Sequence, residues 1–158
     1  MLDVATKTWA LATLEGKPSR HIIGTFLQFT FARNSGAAFS FAPGGTIFLT
    51  SFALIVVTAI GYWARKITSR PWGIVLGLVL GGSLGNLSDR IFRTGGSRGF
   101  FQGEVIDWIS TPHWPIFNIA DSAIVIAAVF ATFLSLRNIA PISHPSDIDE
   151  ESEDSHES

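Results

Sequence analysis

Cysteine is absent from all 158 residues, which excludes disulfide staples, thiolate nucleophiles and cysteine-based zinc sites. Charge is almost as scarce. Only 15% of the residues are charged against 47% hydrophobic, a composition that belongs to membrane proteins and, at this length, to one small bundle. No H-E-x-x-H pattern occurs, so zinc peptidase chemistry has no support. No basic stripe with interleaved aromatics appears, so nucleic acid is not an expected partner. A basic-then-apolar start followed by a small-residue cleavage site is also missing, so no cleavable signal peptide is read. The net charge of −2 hides an asymmetry. Seven of the thirteen acids (Asp147, Asp149, Glu150, Glu151, Glu153, Asp154, Glu157) lie at the C-terminal end, leaving six against eleven bases elsewhere.

What is present begins with Trp114 to Leu136, an apolar run long enough to cross a bilayer with one carboxylate, Asp121, inside it. About 20 apolar residues read as a transmembrane helix, and an ionisable group in such a helix is a hypothesis about function. Read as one helix, the run puts Asn118, Asp121 and Ser122 on one face, with Asp121 about 10 Å below Trp114. Two more apolar runs precede it, about 46–64, which is uncharged, and about 71–89, which carries charge only at Asp89. The basic residues Arg65, Lys66 and Arg70 lie between them and Arg137 follows the last run, which places that end and both termini in the cytoplasm. Residues 1–14 are apolar but carry Asp3 and Lys7, four apart on one helical face. Fourteen residues span only about 21 Å, so a spanning first helix implies roughly 5 to 10 further residues before the written start.

Between the spans, 15–45 shows strand-like alternation in HIIGTFLQFTF and a turn at Asn34, Ser35 and Gly36. Residues 91–113 hold EVIDWIS, a short strand or interfacial helix with Glu104 and Asp107 three apart. If this loop folds back, Asp107 can meet Asp121. Gly73, Gly77, Gly81 and Gly85 recur every fourth residue, a ridge suited to close helix packing, and Ser83, Asn86 and Arg90 form an offset polar face. The stretch from 138 to 158, proline-punctuated and acidic, is expected to be a disordered cytoplasmic tail; its His144 and His156 read as solvated rather than as metal ligands.

Two carboxylates in a poorly solvated pocket share a proton, so one can donate it while the other activates water, the logic of aspartic peptidases. Gly81 to Gly85 also satisfies G-x-S-x-G, but a nucleophile elbow needs a strand, a sharp turn and a helix. Here Ser83 lies inside a continuous apolar span, with His21 and His113 in loops. A rival from another class is a non-enzymatic four-span transporter or assembly subunit with Asp121 as an ion site.

Four blocks in order, Asn34-Ser-Gly-Ala-Ala-Phe39, Gly81-Gly-Ser-Leu-Gly-Asn86-Leu-Ser-Asp-Arg90, Val105-Ile-Asp107-Trp108 and Phe117-Asn118-Ile-Ala-Asp121-Ser-Ala-Ile124, closely resemble the lipoprotein signal peptidases, also called signal peptidase II. The resemblance covers residues 3 to about 126. It implies an all-α membrane fold of four transmembrane helices within 1–137 (spans about 1–14, 46–64, 71–89 and 114–136), a small extracytoplasmic β-sheet cradle from about 17 to 45, and a flap or short interfacial helix around 100–108. The implied activity is that of an aspartic endopeptidase of the bacterial inner membrane, with its site near the extracytoplasmic face. It would cut prolipoproteins just before a cysteine carrying diacylglycerol, with no metal or organic cofactor. Asp107 and Asp121 match the catalytic dyad; Asn34, Asn86, Arg90 and Asn118 match polar residues lining the site; Asp3 and Lys7 match a supporting pair in the first helix. A monomer in contact with membrane lipid is expected, since a four-helix bundle can bury its own polar face.

Overall fold

A computed structural model describes residues 1–36, 45–93 and 99–142. The Ala37 to Phe39 part of the first motif block and the acidic tail from 143 onward lie outside the described residues. The elements are α1 (Leu2–Leu14), β1 (Arg20–Ile23), β2 (Leu27–Asn34), α2 (Gly45–Ala64), α3 (Arg70–Phe92), β3 (Val105–Ser110) and α4 (Ile119–Leu136).

Among the described residues, α2, α3 and α4 are long and apolar enough to cross a membrane. α2 and α4 have mean hydropathy 2.0 and 2.1 and bury little of themselves within the chain. Phe48, Phe52, Ile55, Val125, Ile126 and Val129 all point outward. Such faces are unstable in water and suit a bilayer, where lipid replaces a protein core. α3 starts with Ser69 as N-cap and Pro71 at the first turn, where a missing N–H costs nothing. α3 and α4 share a seam of Val75, Ala127 and Leu134 with Trp72, Val79 and Phe130 around it.

α1 is not one of the long helices. Its thirteen residues reach about 20 Å, and Gly16, at φ +72°, ends it in the left-handed conformation that glycine tolerates best. Its apolar side packs on the sheet instead: Ala10 and Leu14 meet Ile106 and Trp108, and Trp9, Phe29 and Trp108 stack edge to face at 5.1 to 5.7 Å. The sheet is antiparallel with order β1-β2-β3. β2 and β3 pair Ala32 with Asp107 and Asn34 with Val105.

Several expectations change. The segment around 100–108, which the resemblance implied to be a flap or interfacial helix, contributes residues to β3 (Val105–Ser110), the strand alternative for EVIDWIS and the third strand of the cradle. The helix expected over 114–136 begins only at Ile119. Pro115 disfavours helix at Trp114, and Phe117 pairs with Ile109 across 2.8 and 2.9 Å backbone bonds, so the chain stays out of the helix until Asn118 caps α4. Asp121 therefore stands in the first turn of α4 rather than deep along it. The glycine ridge is also not the contact surface expected. A Cβ at Gly73, Gly77 or Gly81 would meet open space, whereas one at Gly82 would lie 2.5 Å from the Ala120 carbonyl and one at Gly85 2.7 Å from Asp3. Finally, residues 138–142, expected as the start of a disordered tail, dock on the α2–α3 turn. The Trp72 indole donates to the Ile139 carbonyl at 2.7 Å, and the backbone N–H groups of Thr68 and Ser69 donate to Pro141 at 3.3 Å, giving acceptors to donors that a helix start leaves unpaired.

Candidate active site

Asn118 is the centre of the site and is fully buried. As the N-cap of α4 its Oδ1 accepts from the Asp121 N–H at 3.0 Å, and its own N–H donates to Asp121 Oδ2 at 3.1 Å. This reciprocal capping box ties up two N–H groups at the helix start. The Nδ2 of the same side chain donates to Asp107 Oδ1 at 2.6 Å and to Asn86 Oδ1 at 3.1 Å. One asparagine thus touches both carboxylates.

Asparagines complete the shell. Asn34, at the end of β2, donates to Asp107 Oδ2 at 3.0 Å, and Asn86, on α3, donates to Asp121 Oδ1 at 2.7 Å. Every carboxylate oxygen of the pair accepts at least one N–H. Asp107 is 2% exposed. Burial pushes its carboxyl up from the ordinary 3.8 to about 6, opposed by the bond from Asn34 and reinforced by the charge of Asp121. Asp121 is half-buried in the first turn of α4.

A buried ionic cluster supports this shell from behind. Lys7 is fully buried and meets Asp3 at 2.7 Å, Asp89 at 2.9 Å and Asn86 Oδ1 at 2.8 Å. Asp3 also accepts the N–H of Ala120 at 3.0 Å, so α1 caps α4. Lys7 can only donate, which keeps the oxygen of Asn86 toward Lys7 and its NH2 toward Asp121. Asp89 and its partner Arg93, 2.5 Å away, were not singled out in the sequence. The available signal was an acid three residues after Asn86, on the same face of an apolar helix.

Arg90 reaches the other side of the shell. With Leu49, Phe52, Val56, Ser83 and Asn86 it borders a cleft of about 330 Å³ between α2, α3 and α4. Its Nη1 is buried with no hydrogen-bond partner among the described residues. Ser83 faces this cleft from the middle of α3, and among the described residues no hydrogen bond joins it to a histidine; His21 is held at the Gly24 carbonyl at 3.0 Å. The structure thus gathers all eight residues singled out from the sequence into one site or its support: Asp107, Asp121, Asn34, Asn86, Asn118, Arg90, Asp3 and Lys7.

Three long apolar helices under a small sheet, with a carboxylate from the sheet and one from a helix start meeting over one asparagine, define a multi-pass membrane protein with a paired-carboxylate centre. Comparison with known proteins agrees. Residues 1–137 match the family described as Signal peptidase (SPase) II. The lipoprotein signal peptidase of Streptomyces coelicolor is 46% identical over 141 residues, 89% of this chain and 68% of that protein. That of Mycobacterium leprae is 42% identical over 135 residues, 85% of this chain and 66% of its own. A solved structure titled as a bacterial membrane enzyme at 1.9 Å resolution superposes with a TM-score of 0.74 at 30% identity, covering 85% of each chain. The chain belongs to the signal peptidase II family of bacterial, multi-pass membrane aspartic peptidases.

Proposed function

We propose that Asp107 and Asp121 are the catalytic dyad with which this peptidase removes signal peptides from prolipoproteins, cutting just before a cysteine that carries diacylglycerol. The observation that carries this is Asn118, whose side-chain amide holds Asp107 while its backbone N–H holds Asp121. A water between the carboxylates attacks the scissile carbonyl carbon. Its proton passes to the ionised Asp121, and Asp107, which burial keeps partly protonated near neutral pH, donates to the carbonyl oxygen. Collapse of the gem-diol breaks the C–N bond. The amine on the lipidated cysteine takes a proton from the dyad, and the signal peptide leaves as a carboxylic acid. Two donors on Asp107 and two on Asp121 hold the pair through both proton transfers.

Arg90 is the binding residue of the cleft between α2, α3 and α4. Its free Nη1 suits a backbone carbonyl of the signal peptide, which in a membrane needs a donor. Asn34, Asn86, Asp3 and Lys7 position the dyad. The basic α2–α3 turn, with Lys66 over Trp63 at 4.5 Å, sits at the opposite end of the helices from Asp121. The cleavage site therefore faces the extracytoplasmic side of the inner membrane and the C-terminal end of α4 faces the cytoplasm. α1 counts as the fourth membrane segment, and the active unit is a monomer.

The test is cleavage of a diacylglyceryl-modified prolipoprotein by purified protein in detergent. Wild type is expected to cut, and Asp107→Asn and Asp121→Asn to be inert while still folded. More than a trace of turnover in either variant refutes the dyad. Loss with Asp121→Asn alone points to an ion site instead.

A further inference from the structure

A second cavity reaches Asp121 from another face of α4. It holds about 330 Å³ and is bounded by Thr111, Trp114, Phe117, Asp121, Val125 and Ile126. One wall is the strap 114–117, which is pinned to β3 at Phe117. Ile109 donates to the Phe117 carbonyl at 2.8 Å and receives from its N–H at 2.9 Å, and Trp108 donates to the same carbonyl at 3.0 Å. The other wall is the first two turns of α4. Trp114, Val125 and Ile126 are more than half exposed, so the mouth opens sideways onto the apolar surface of the helices.

The two cavities differ in what they can accept. The cleft between α2, α3 and α4 offers Ser83, Asn86 and the unpartnered Arg90 nitrogen, as a peptide backbone in an apolar medium requires. The outer pocket offers mainly hydrocarbon, from Trp114, Phe117, Val125 and Ile126, with the Thr111 hydroxyl and Asp121 among its few polar groups. The hydroxyl of Ser122, which also borders it, is already given to the Asn118 carbonyl at 3.0 Å. A peptide there would leave its N–H and C=O groups unpaired. A hydrocarbon chain would not, and the pocket starts at Asp121, where the scissile bond must lie.

We propose that this outer pocket is an acyl-chain subsite, seating one chain of the substrate's own diacylglycerol between the 114–117 strap and Val125 and Ile126. The inference rests on the substrate reading above. There the lipid begins one residue from the cleaved bond, so its first carbons must leave the dyad through an apolar exit. The substrate then straddles the start of α4, with signal peptide in the inner cleft and lipid on the outer side. Each methylene seated against the pocket walls adds dispersion contacts, so KM falls as the acyl chain lengthens until the pocket is full.

The test uses the full chain in detergent with two prolipoprotein peptides, one dipalmitoylglyceryl and one dihexanoylglyceryl, and compares wild type with Val125→Trp, Ile126→Trp and Val129→Trp. Val125 and Ile126 are exposed, so added bulk fills the pocket without entering the core. Val129 is also exposed, one turn lower and outside the pocket. Wild type is expected to prefer the long-chain peptide. The preference should fall about tenfold in Val125→Trp and Ile126→Trp, through KM, and hold in Val129→Trp. A preference unchanged in both pocket variants overturns the subsite. So does an equal fall in Val129→Trp, as general lipid packing would give, or a wild type that cuts both peptides with no preference. A wild type that cuts neither overturns the substrate reading, and the subsite with it.

Discussion

Asn118 does two things that a pair of substitutions can separate. Its Oδ1 caps α4, and its Nδ2 holds Asp107 at 2.6 Å and Asn86 at 3.1 Å. Asn118→Ala removes both functions. Loss of the cap costs about 1 kcal/mol and loss of a bond to a charged group about 1.5–3 kcal/mol, so the variant is expected to be about 2–4 kcal/mol less stable. Asn118→Asp keeps the cap, since aspartate caps as well as asparagine, but replaces the donor facing Asp107 with an oxygen. Two carboxyls that close must share a proton, so the change removes Asp107 as a free acid. At pH 5, where the added acid can be protonated, Asn118→Asp is expected to lose less than half the stability that Asn118→Ala loses, yet turnover should fall by roughly 10²-fold or more. Thermal unfolding in detergent at pH 5 and 7 gives the first quantity, and cleavage of a diacylglyceryl prolipoprotein gives the second. If Asn118→Asp cuts at the wild-type rate, the amide bridge to Asp107 has no part in the chemistry.

Other expectations follow from single contacts. Asp107 binds its proton more tightly folded, at about 6, than at its ordinary 3.8, so folding takes up a proton between those values and stability falls as pH rises through that window. Asp107→Asn removes the penalty of the buried charge, so its melting temperature relative to wild type should be higher at pH 8 than at pH 4; the opposite trend would show that Asp107 is not held toward its neutral form. Lys7→Met leaves Asp3 and Asp89 buried without their shared cation and is expected to cost about 3–5 kcal/mol, measured by denaturation in detergent; a wild-type melting point would refute the ionic cluster. Gly85→Ala drives a Cβ to 2.7 Å from Asp3 and should destabilise by about 1–3 kcal/mol. Gly77→Ala meets open space and should be neutral or stabilising by up to about 1 kcal/mol. Equal effects at the two glycines would restore the ridge as the packing surface.

Much of this was legible along the chain because the signals are local. Hydrophobic length marks the long helices, and the basic residues at Arg65, Lys66 and Arg70 mark one end of them. Polar residues stranded in apolar surroundings, among them Asp121, Asn86 and Lys7, stood out because an apolar medium makes each of them costly to keep without a partner. Where the local signals conflicted, the reading went astray. Trp114 to Leu136 is apolar throughout, yet Pro115 and the pairing of Phe117 with Ile109 keep its first residues out of the helix. The every-fourth glycines suggested one packing face, while contact with Ala120 and Asp3 selected Gly82 and Gly85.

Sequence alone determined the membrane class and the long apolar spans, because both follow from composition and from periodicities of a few residues, while the short list of candidate polar residues came from the resemblance of four motif blocks to a known family. Tertiary structure alone decided which of them meet. Asn34 reaches Asp107 across 73 positions, Asn86 reaches Asp121 across 35, and Asp3 caps α4 across 117. Those bonds depend on β3 pairing with β2 and on α1 packing under the sheet, and no periodicity within a segment records which distant segment will supply its partner.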